Sequence, residues 1–170
     1  HPGVVPVFER GRTADGRYFF TMQEVRGRTL KDLLREAHAA TSTTWSQRRL
    51  LELFRKVCEP VAYAHSLQVL HRDLKPSNVM VGDFGEVLVM DWGVAVIHGE
   101  RSPQPHVAGF DAEGSVTGTP AYMAPEQARG EPDLGPRADV YALGAILYEL
   151  LTGRPPYTQR NGLEALDALL

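Results

Sequence analysis

The polar chemistry of this chain is densest in eight consecutive residues. They are His71-Arg72-Asp73-Leu74-Lys75-Pro76-Ser77-Asn78. Two short β-prone runs follow, residues 79–81 and 87–90, on either side of a glycine-containing turn. The eight residues therefore end where a predicted strand begins, and the second strand should return the chain to the same place.

The regions upstream and downstream of this stretch differ in pattern. Residues 4–8 and 18–25 are β-prone and flank the turn-rich residues 11–16, which predicts a hairpin with a longer loop. From 91 to 118 the periodicity disappears and Gly, Pro, Ser and His accumulate, as is typical of a long functional loop.

Helical spacing of apolar residues appears in three segments. It predicts a helix over residues 30–37 and a long one over 46–66, with a kink at Pro60. A last helix should begin with Asp139 as its N-cap and end near Leu151, before Gly and Pro residues. Strands come first and helices later, so the pattern favours an α+β fold.

Composition excludes several classes of protein. The 170 residues are 43% hydrophobic and 23% charged, which is ordinary for a globular domain. The single cysteine, Cys58, can form no internal disulfide, and the six histidines lack metal-site spacing. A net charge of −3 gives no electrostatic case for binding nucleic acid, and no apolar run is long enough to span a bilayer. We expect no nucleic-acid partner, no membrane contact from this segment and a cytoplasmic location.

Three downstream motifs complete a family resemblance. They are Asp91-Trp92-Gly93, Gly118-Thr119-Pro120 and Ala124-Pro125-Glu126. With residues 71–78 they make the chain similar to the Hanks-type, eukaryotic-like serine/threonine protein kinases of bacteria. The resemblance implies a two-lobe kinase fold, with residues 1–25 as two strands and the hinge of the N-lobe and residues 26–170 as part of the C-lobe.

The resemblance also implies catalytic roles for residues of the central stretch. Asp73 would orient the attacking hydroxyl, and Lys75 would meet the γ-phosphate of ATP. Asn78 and Asp91 would hold Mg²⁺, or Mn²⁺ in its place, through oxygen ligands. Arg72 would pair with a phosphate on the activation segment. If any one of these residues is considered alone, the alternative to a catalytic role is that it is a surface charge or a turn-forming residue.

A second tripeptide, Asp83-Phe84-Gly85, matches the family's usual metal-binding motif better than Asp91-Trp92-Gly93 does. Strand geometry argues against it. At about 3.3 Å per residue, Val79–Val81 would carry Asp83 more than about 10 Å from Asn78. The returning strand brings Asp91 back beside Asn78, so Asp83 is predicted to be a turn residue and Asp91 the ligand.

Four other residues match nucleotide-binding positions of the family, although their residue types are less specific. Met22 is similar to the gatekeeper, and Gln23 and Val25 are similar to the hinge residues that bind adenine through their backbone. Met80 would form the apolar floor beneath the base. For both methionines, simple core packing is an equally good interpretation.

Four further residues match structural positions of the family. Val7, His71 and Trp92 are similar to members of the stacked regulatory spine. Asp139 is similar to the residue that holds the backbone of the catalytic loop, a role compatible with the predicted N-cap.

Residues 91–126 correspond to the activation segment. Ser115 and Thr117 are candidate activating phosphosites, whereas unmodified hydroxyls are the alternative. Thr119 more closely matches the residue that supports the catalytic loop. Glu126 is expected to pair with an arginine that lies beyond this chain.

Some family features are absent from these residues. There is no Gly-x-Gly-x-x-Gly loop, Lys31 and Lys56 fall in predicted helices, and Lys75 is already assigned, so no strand lysine remains. The chain starts at His1 without an initiator Met or a signal peptide, and we expect it to be a piece of a longer protein. The 170 residues alone are therefore expected to be inactive.

Two functions from different classes stay open. One is an ATP-dependent protein serine/threonine kinase that acts on proteins, including itself by autophosphorylation. The other is a kinase-derived, non-catalytic binding or scaffold module. The intact Asp73, Lys75, Asn78 and Asp91 favour the first. A small-molecule kinase is a weaker third, because the 118–126 segment docks peptides in the family.

Overall fold

A computed structural model describes residues 1–39, 45–98 and 120–157. Helices and strands are mixed, and the expected α+β class is confirmed. The strands are β1 (Val7–Arg12), β2 (Tyr18–Met22), β3 (Arg28–Thr29), β4 (Val69–Leu70), β5 (Val79–Val81), β6 (Val87–Val89) and β7 (Val96–Ile97). The helices are α1 (Leu30–Ala37), α2 (Gln47–Ser66), α3 (Pro125–Ala128) and α4 (Pro136–Thr152), with 3₁₀ turns at Pro76–Asn78 and Pro120–Tyr122.

The predicted first hairpin is confirmed, but its first strand lies later than expected. β1 and β2 pair antiparallel, with Arg12 opposite Tyr18. Gly11 and Arg12 had been assigned to the turn, whereas they belong to β1. The turn is tighter than predicted because Thr13 N–H donates to the Arg17 carbonyl at 2.8 Å.

The second predicted hairpin, β5–β6, is also confirmed and forms a three-stranded sheet with β3. Val79 pairs with Val89, and Val81 with Val87. The two-residue strands β3, β4 and β7 were not predicted, because such short pairings leave no period in the sequence. β7 lies inside the stretch expected to be a loop.

Helices α1 and α2 form where the apolar spacing predicted them. Ser46 caps α2, its hydroxyl accepting from the Arg49 N–H. α2 continues without interruption through the buried Pro60, and the kink expected there stays a prediction. The apolar faces of α1, α2 and α4 and the β5–β6 hairpin share one core, which includes Leu30, Leu33, Leu34, Leu50, Val57, Val61, Val79, Val89, Ile146 and Leu150.

The predicted start of the last helix was wrong. α4 begins at Pro136 with Gly135 as its N-cap, so Asp139 lies inside the first turn. Proline is favoured at the first helical position because its missing N–H is not needed there. The Asp139 carboxylate is thus free to bond outside its own helix. The predicted end is confirmed, since Gly153 closes the helix in the left-handed conformation.

None of the helices in the described ranges is long and apolar enough to cross a membrane.

Gly27 is the glycine that the β3–β5 pairing needs most. Gly27→Ala is expected to lower the free energy of unfolding by about 2 kcal/mol or more, because this left-handed conformation strains any residue with a Cβ. The φ angle is +140°, and a Cβ would lie 2.4 Å from the Val81 carbonyl oxygen. Urea denaturation measures the loss. The control is Gly144→Ala, in helix α4, where a Cβ meets no described atom within 4 Å. Equal unfolding free energies for the two variants would contradict the prediction.

Candidate functional site

Asp73, Lys75 and Asn78 meet through their side chains. Lys75 Nζ donates to the two carboxylate oxygens of Asp73 at 3.0 and 2.7 Å. Asn78 Nδ2 donates to Asp73 Oδ2 and to the Asp73 backbone carbonyl, both at 2.9 Å. Three of the residues singled out in the sequence therefore form one hydrogen-bonded group around a carboxylate.

Local packing explains why the group holds together. Leu74 and Pro76 are buried, whereas Asp73 and Lys75, which alternate with them, are only half-buried, so the apolar side chains anchor the loop and leave these two polar ones accessible. The 3₁₀ turn closes with the Asn78 N–H donating to the Lys75 carbonyl at 2.9 Å. Because the Asn78 amide donates toward Asp73, its Oδ1 is left available as an oxygen ligand.

The β5–β6 hairpin returns the chain to Asn78, as predicted. Met90 N–H donates to the Asn78 carbonyl at 2.8 Å, and Asp91 follows immediately. Asp91 is exposed, has a φ of +59° and makes no hydrogen bond to any described residue. Asp83 is exposed at the far end of the hairpin, next to Phe84, which is 93% exposed. The expectation that Asp83 is a turn residue is confirmed.

The oxygen atoms of Asn78 and Asp91 fit a hard divalent cation. Mg²⁺ binds through one or two protein oxygen ligands and completes its shell with water and phosphate oxygens. No group of three or more His, Cys, Asp or Glu side chains that could hold a metal occurs within residues 1–39, 45–98 and 120–157. The two oxygen ligands from Asn78 and Asp91 therefore suit a metal ion whose remaining ligands are phosphate oxygens and water.

His71 links the central loop to the end of β6. Its ring is fully buried, with Nε2 2.9 Å from the Met90 carbonyl and Nδ1 accepting from the Asp73 N–H at 3.2 Å. A carbonyl can only accept, so Nε2 carries the proton and the ring is neutral. Trp92 packs against the ring with centroids 4.5 Å apart. Val7, by contrast, is 61% exposed.

The Asp139 carboxylate holds the backbone of the central loop. It is 1% exposed and accepts from the His71 N–H at 2.9 Å and the Arg72 N–H at 2.8 Å. His65 Nε2 lies 2.7 Å from the same carboxylate. Sequence analysis missed His65, because a single histidine near the end of a helix has no distinguishing pattern.

Arg72 occupies an unusual backbone conformation, with a φ of +69°. Its carbonyl accepts from Gln127 Nε2 at 2.6 Å. Its Nε is buried without a hydrogen-bond partner among the described residues. Burial lowers the pKa of the Arg72 guanidinium, and the Asp139 charge opposes this. Sequence analysis also missed Gln127.

Comparison with known sequences assigns the chain to a family. The sequence profile described as "Protein kinase domain" matches residues 1–169. The chain belongs to the protein kinase family. Hanks-type kinases of bacteria, the relatives expected from the motifs, are the ones found.

Three curated relatives are bacterial kinases with the same printed name, serine/threonine-protein kinase PknD. The protein from Chlamydia caviae is 40% identical over 178 residues, covering 95% of this chain and 19% of that protein. The one from Protochlamydia amoebophila is 39% identical, covering 92% and 18%. The one from Chlamydia pneumoniae is 38% identical, covering 95% and 19%. The chain spans about a fifth of the length of these curated relatives.

The three residues that resemble the kinase hinge lie at the end of the first hairpin. Met22 ends β2 with an exposed side chain, and Val25 is half-buried. The Gln23 N–H donates to the Pro6 carbonyl at 3.0 Å, which leaves the Gln23 carbonyl for a ligand. Met80 is half-buried in β5, opposite Thr29 and Leu88.

The activation-segment residues are described only in part. Glu126 is half-buried in α3. Ser115, Thr117 and Thr119 lie outside the described residues.

Protonation of His71 should make the kinase fold sensitive to acid. Burial lowers the His71 pKa below its ordinary value near 6.5, outweighing the opposite effects of the Met90 carbonyl and the Asp139, Asp73 and Asp91 charges. Below about pH 6.5 the His71 ring is protonated in the unfolded chain but stays neutral in the folded chain. The stability that the neutral ring contributes is therefore complete above this pH and is lost as the pH falls toward the folded-state pKa. The free energy of unfolding should fall by up to about 1.4 kcal/mol per pH unit from this group.

Urea titrations between pH 5 and 8 on the unsubstituted protein and on His71→Gln measure this contribution of His71 to the free energy of unfolding. The difference in stability between the two should shrink as the pH falls. A difference that stays constant across the range would show that His71 does not titrate in this way.

Proposed function

We propose that this chain is part of the catalytic domain of a protein serine/threonine kinase, which transfers the γ-phosphoryl group of ATP to Ser or Thr hydroxyls of proteins. The observation that carries the proposal is the Asp73 carboxylate bonded to Lys75 and Asn78. The printed names of the relatives support the same activity. We further propose that residues 1–25 belong to the N-lobe and residues 26–170 to the C-lobe.

Asp73 would align the substrate hydroxyl and accept its proton as the oxygen–phosphorus bond forms. The bond between the γ-phosphorus and its bridging oxygen breaks, and ADP leaves with that electron pair. Lys75, whose ammonium pairs with the Asp73 carboxylate, would neutralise charge on the γ-phosphate.

Asn78 Oδ1 and the Asp91 carboxylate would hold Mg²⁺, or Mn²⁺ in its place. The metal, when bound, supplies positive charge to the phosphate oxygens. The positive φ of Asp91 and the small Gly93, where a Cβ would lie 3.3 Å from Asp91 Oδ1, keep this carboxylate accessible. Trp92 packs on His71 behind the site and would thereby fix the backbone that presents Asp91.

Adenine would bind at the hinge. The open carbonyl of Gln23 and the backbone of Val25 supply the polar groups that fix a base, while Met22 and Met80 supply apolar contacts.

Arg72 would read the phosphorylation state of the activation segment. Its Nε is buried and unpartnered among the described residues, so it is available for a phosphate oxygen on Ser115 or Thr117. Thr119 would support the catalytic loop, and Glu126 would anchor the end of the segment. The dependence on ATP favours the cytoplasm, and autophosphorylation would make the protein one of its own substrates.

Replacing Asp73 tests the reaction directly. In the full-length protein, Asp73→Asn should lower phosphotransfer by about 100-fold or more, because the amide cannot accept the proton. Nucleotide affinity should stay unchanged. A radiolabelled-phosphate transfer assay and a nucleotide titration measure the two quantities. Asp83→Asn, on the exposed turn, is the matched control. Full turnover by Asp73→Asn would refute the role of Asp73.

The metal site has its own test. Asp91→Asn should raise the Mg²⁺ concentration that gives half-maximal rate by about tenfold or more, since a charged ligand becomes neutral. Asp83→Asn should leave that concentration unchanged. If the two variants exchange behaviour, the ligand is Asp83 and the choice between the tripeptides is wrong.

Phosphopeptide mapping tests the regulatory residues. After incubation of the full-length protein with ATP, we expect phosphate on Ser115 or Thr117, and we expect Ser115→Ala with Thr117→Ala to slow later turnover. The Arg72 guanidinium then has no phosphate to bind. Phosphate on neither residue would rule out this mode of activation.

A further inference from the structure

Gln127 is a buried amide between the activation segment and the central loop. It directly follows Glu126 in α3 and is 6% exposed. Its Nε2 donates to the Arg72 carbonyl at 2.6 Å, across 55 residues of sequence. Nothing in the proposed reaction uses this side chain.

The bond falls on the peptide unit that joins Arg72 to Asp73. The carbonyl end of this unit accepts from Gln127, and its N–H end, which belongs to Asp73, donates to His71 Nδ1 at 3.2 Å. The peptide plane is therefore held at both ends. A rotation of the plane would break both bonds and turn the Cα–Cβ direction of Asp73.

The same unit needs an external restraint, because Arg72 is strained. A left-handed conformation costs a residue with a side chain about 1 kcal/mol or more. Asp139 holds the N–H of Arg72 at 2.8 Å, and Gln127 holds its carbonyl. Asp139 lies on α4, whereas Gln127 lies on the segment that leads into it, so the two restraints come from different elements.

The segment that carries Gln127 is itself anchored. Tyr122 hydrogen-bonds to Glu149 of α4, and Met123 and Ala128 are buried beside Tyr141 and Tyr157. The position of Gln127 thus depends on the fold of residues 120–128, the stretch at the end of the activation segment.

We infer that Gln127 is a positioning residue that couples the placement of residues 120–128 to the orientation of Asp73 through the Arg72 carbonyl. This route runs through the backbone and is separate from the phosphate-binding role of the Arg72 side chain. The inference rests on the proposed kinase function. A shift of residues 120–128 that moves α3 would withdraw the Gln127 amide from the Arg72 carbonyl. The Arg72–Asp73 peptide plane would then be free to rotate, and the Asp73 carboxylate would lose its alignment.

The kinetic test uses Gln127→Met in the full-length protein, which keeps the length of the side chain and removes the donor. Gln47→Met, at the exposed start of α2, is the matched control. Rates are measured per folded molecule, well below the melting temperature of each variant, because an unpaired buried carbonyl also lowers stability. We expect kcat to fall about 10- to 100-fold, with KM for ATP changed by less than about twofold. In Gln127→Asn the side chain is one methylene shorter, so its amide does not reach the Arg72 carbonyl. This variant should show the same loss of kcat as Gln127→Met, and it replaces Gln127→Met in the test if that variant does not fold.

Amide hydrogen exchange gives a readout that does not need activity. In Gln127→Met and Gln127→Asn the Asp73 amide should exchange about tenfold faster than in Gln47→Met, with amides in the middle of α2 unchanged. Unchanged exchange at Asp73, or a kcat equal to that of the control, would overturn the inference. An unsubstituted protein that transfers no phosphate would instead overturn the proposed function, and the exchange experiment would still decide whether Gln127 holds the peptide.

Discussion

The carboxylate of Asp139 is the constraint on which the rest of the site depends. A buried carboxylate is costly unless its charge is satisfied, and here two backbone N–H groups of the catalytic loop and the ring of His65 do so. The same bonds also satisfy the two backbone N–H groups. Among the described residues, the loop backbone at His71 and Arg72 pairs with no strand, and the carboxylate on α4 accepts from its N–H groups instead.

This arrangement explains how a kinase can carry its central residues on a loop and still hold them accurately. The loop is restrained from three directions: by α4 through Asp139, by the residue that follows β6 through the Met90 carbonyl, and by α3 through Gln127. The polar side chains then bond among themselves, with Lys75 and Asn78 both directed at Asp73. The bonds to Asp139, Met90 and Gln127 join residues that are distant in sequence, and burial of their polar groups limits competition from water.

The hairpin between the two candidate metal tripeptides shows what can be derived from sequence. Strand rise and the return of a hairpin are local geometry, so Asp91 could be placed beside Asn78 and Asp83 away from it. The end of α4 could be predicted from Gly153 for the same reason. The start of α4 could not, because a proline at residue 136 and an aspartate at residue 139 are both acceptable near a helix start. In the structure Gly135 is the N-cap, and the Asp139 carboxylate bonds instead to the distant backbone of His71 and Arg72.

The family, the α+β class, the two hairpins and the side chains that meet at Asp73 could be predicted from residue types, short spacings and local periods. Only the tertiary structure decided the contacts that hold those side chains in place. His65 and Gln127 lie far from their partners along the chain, and the strands β4 and β7 are two residues long and pair across a separation of more than twenty residues. The physical reason is that a buried polar group is satisfied by whichever element the fold brings to it, and a sequence pattern of period two or 3.6 contains no record of that element.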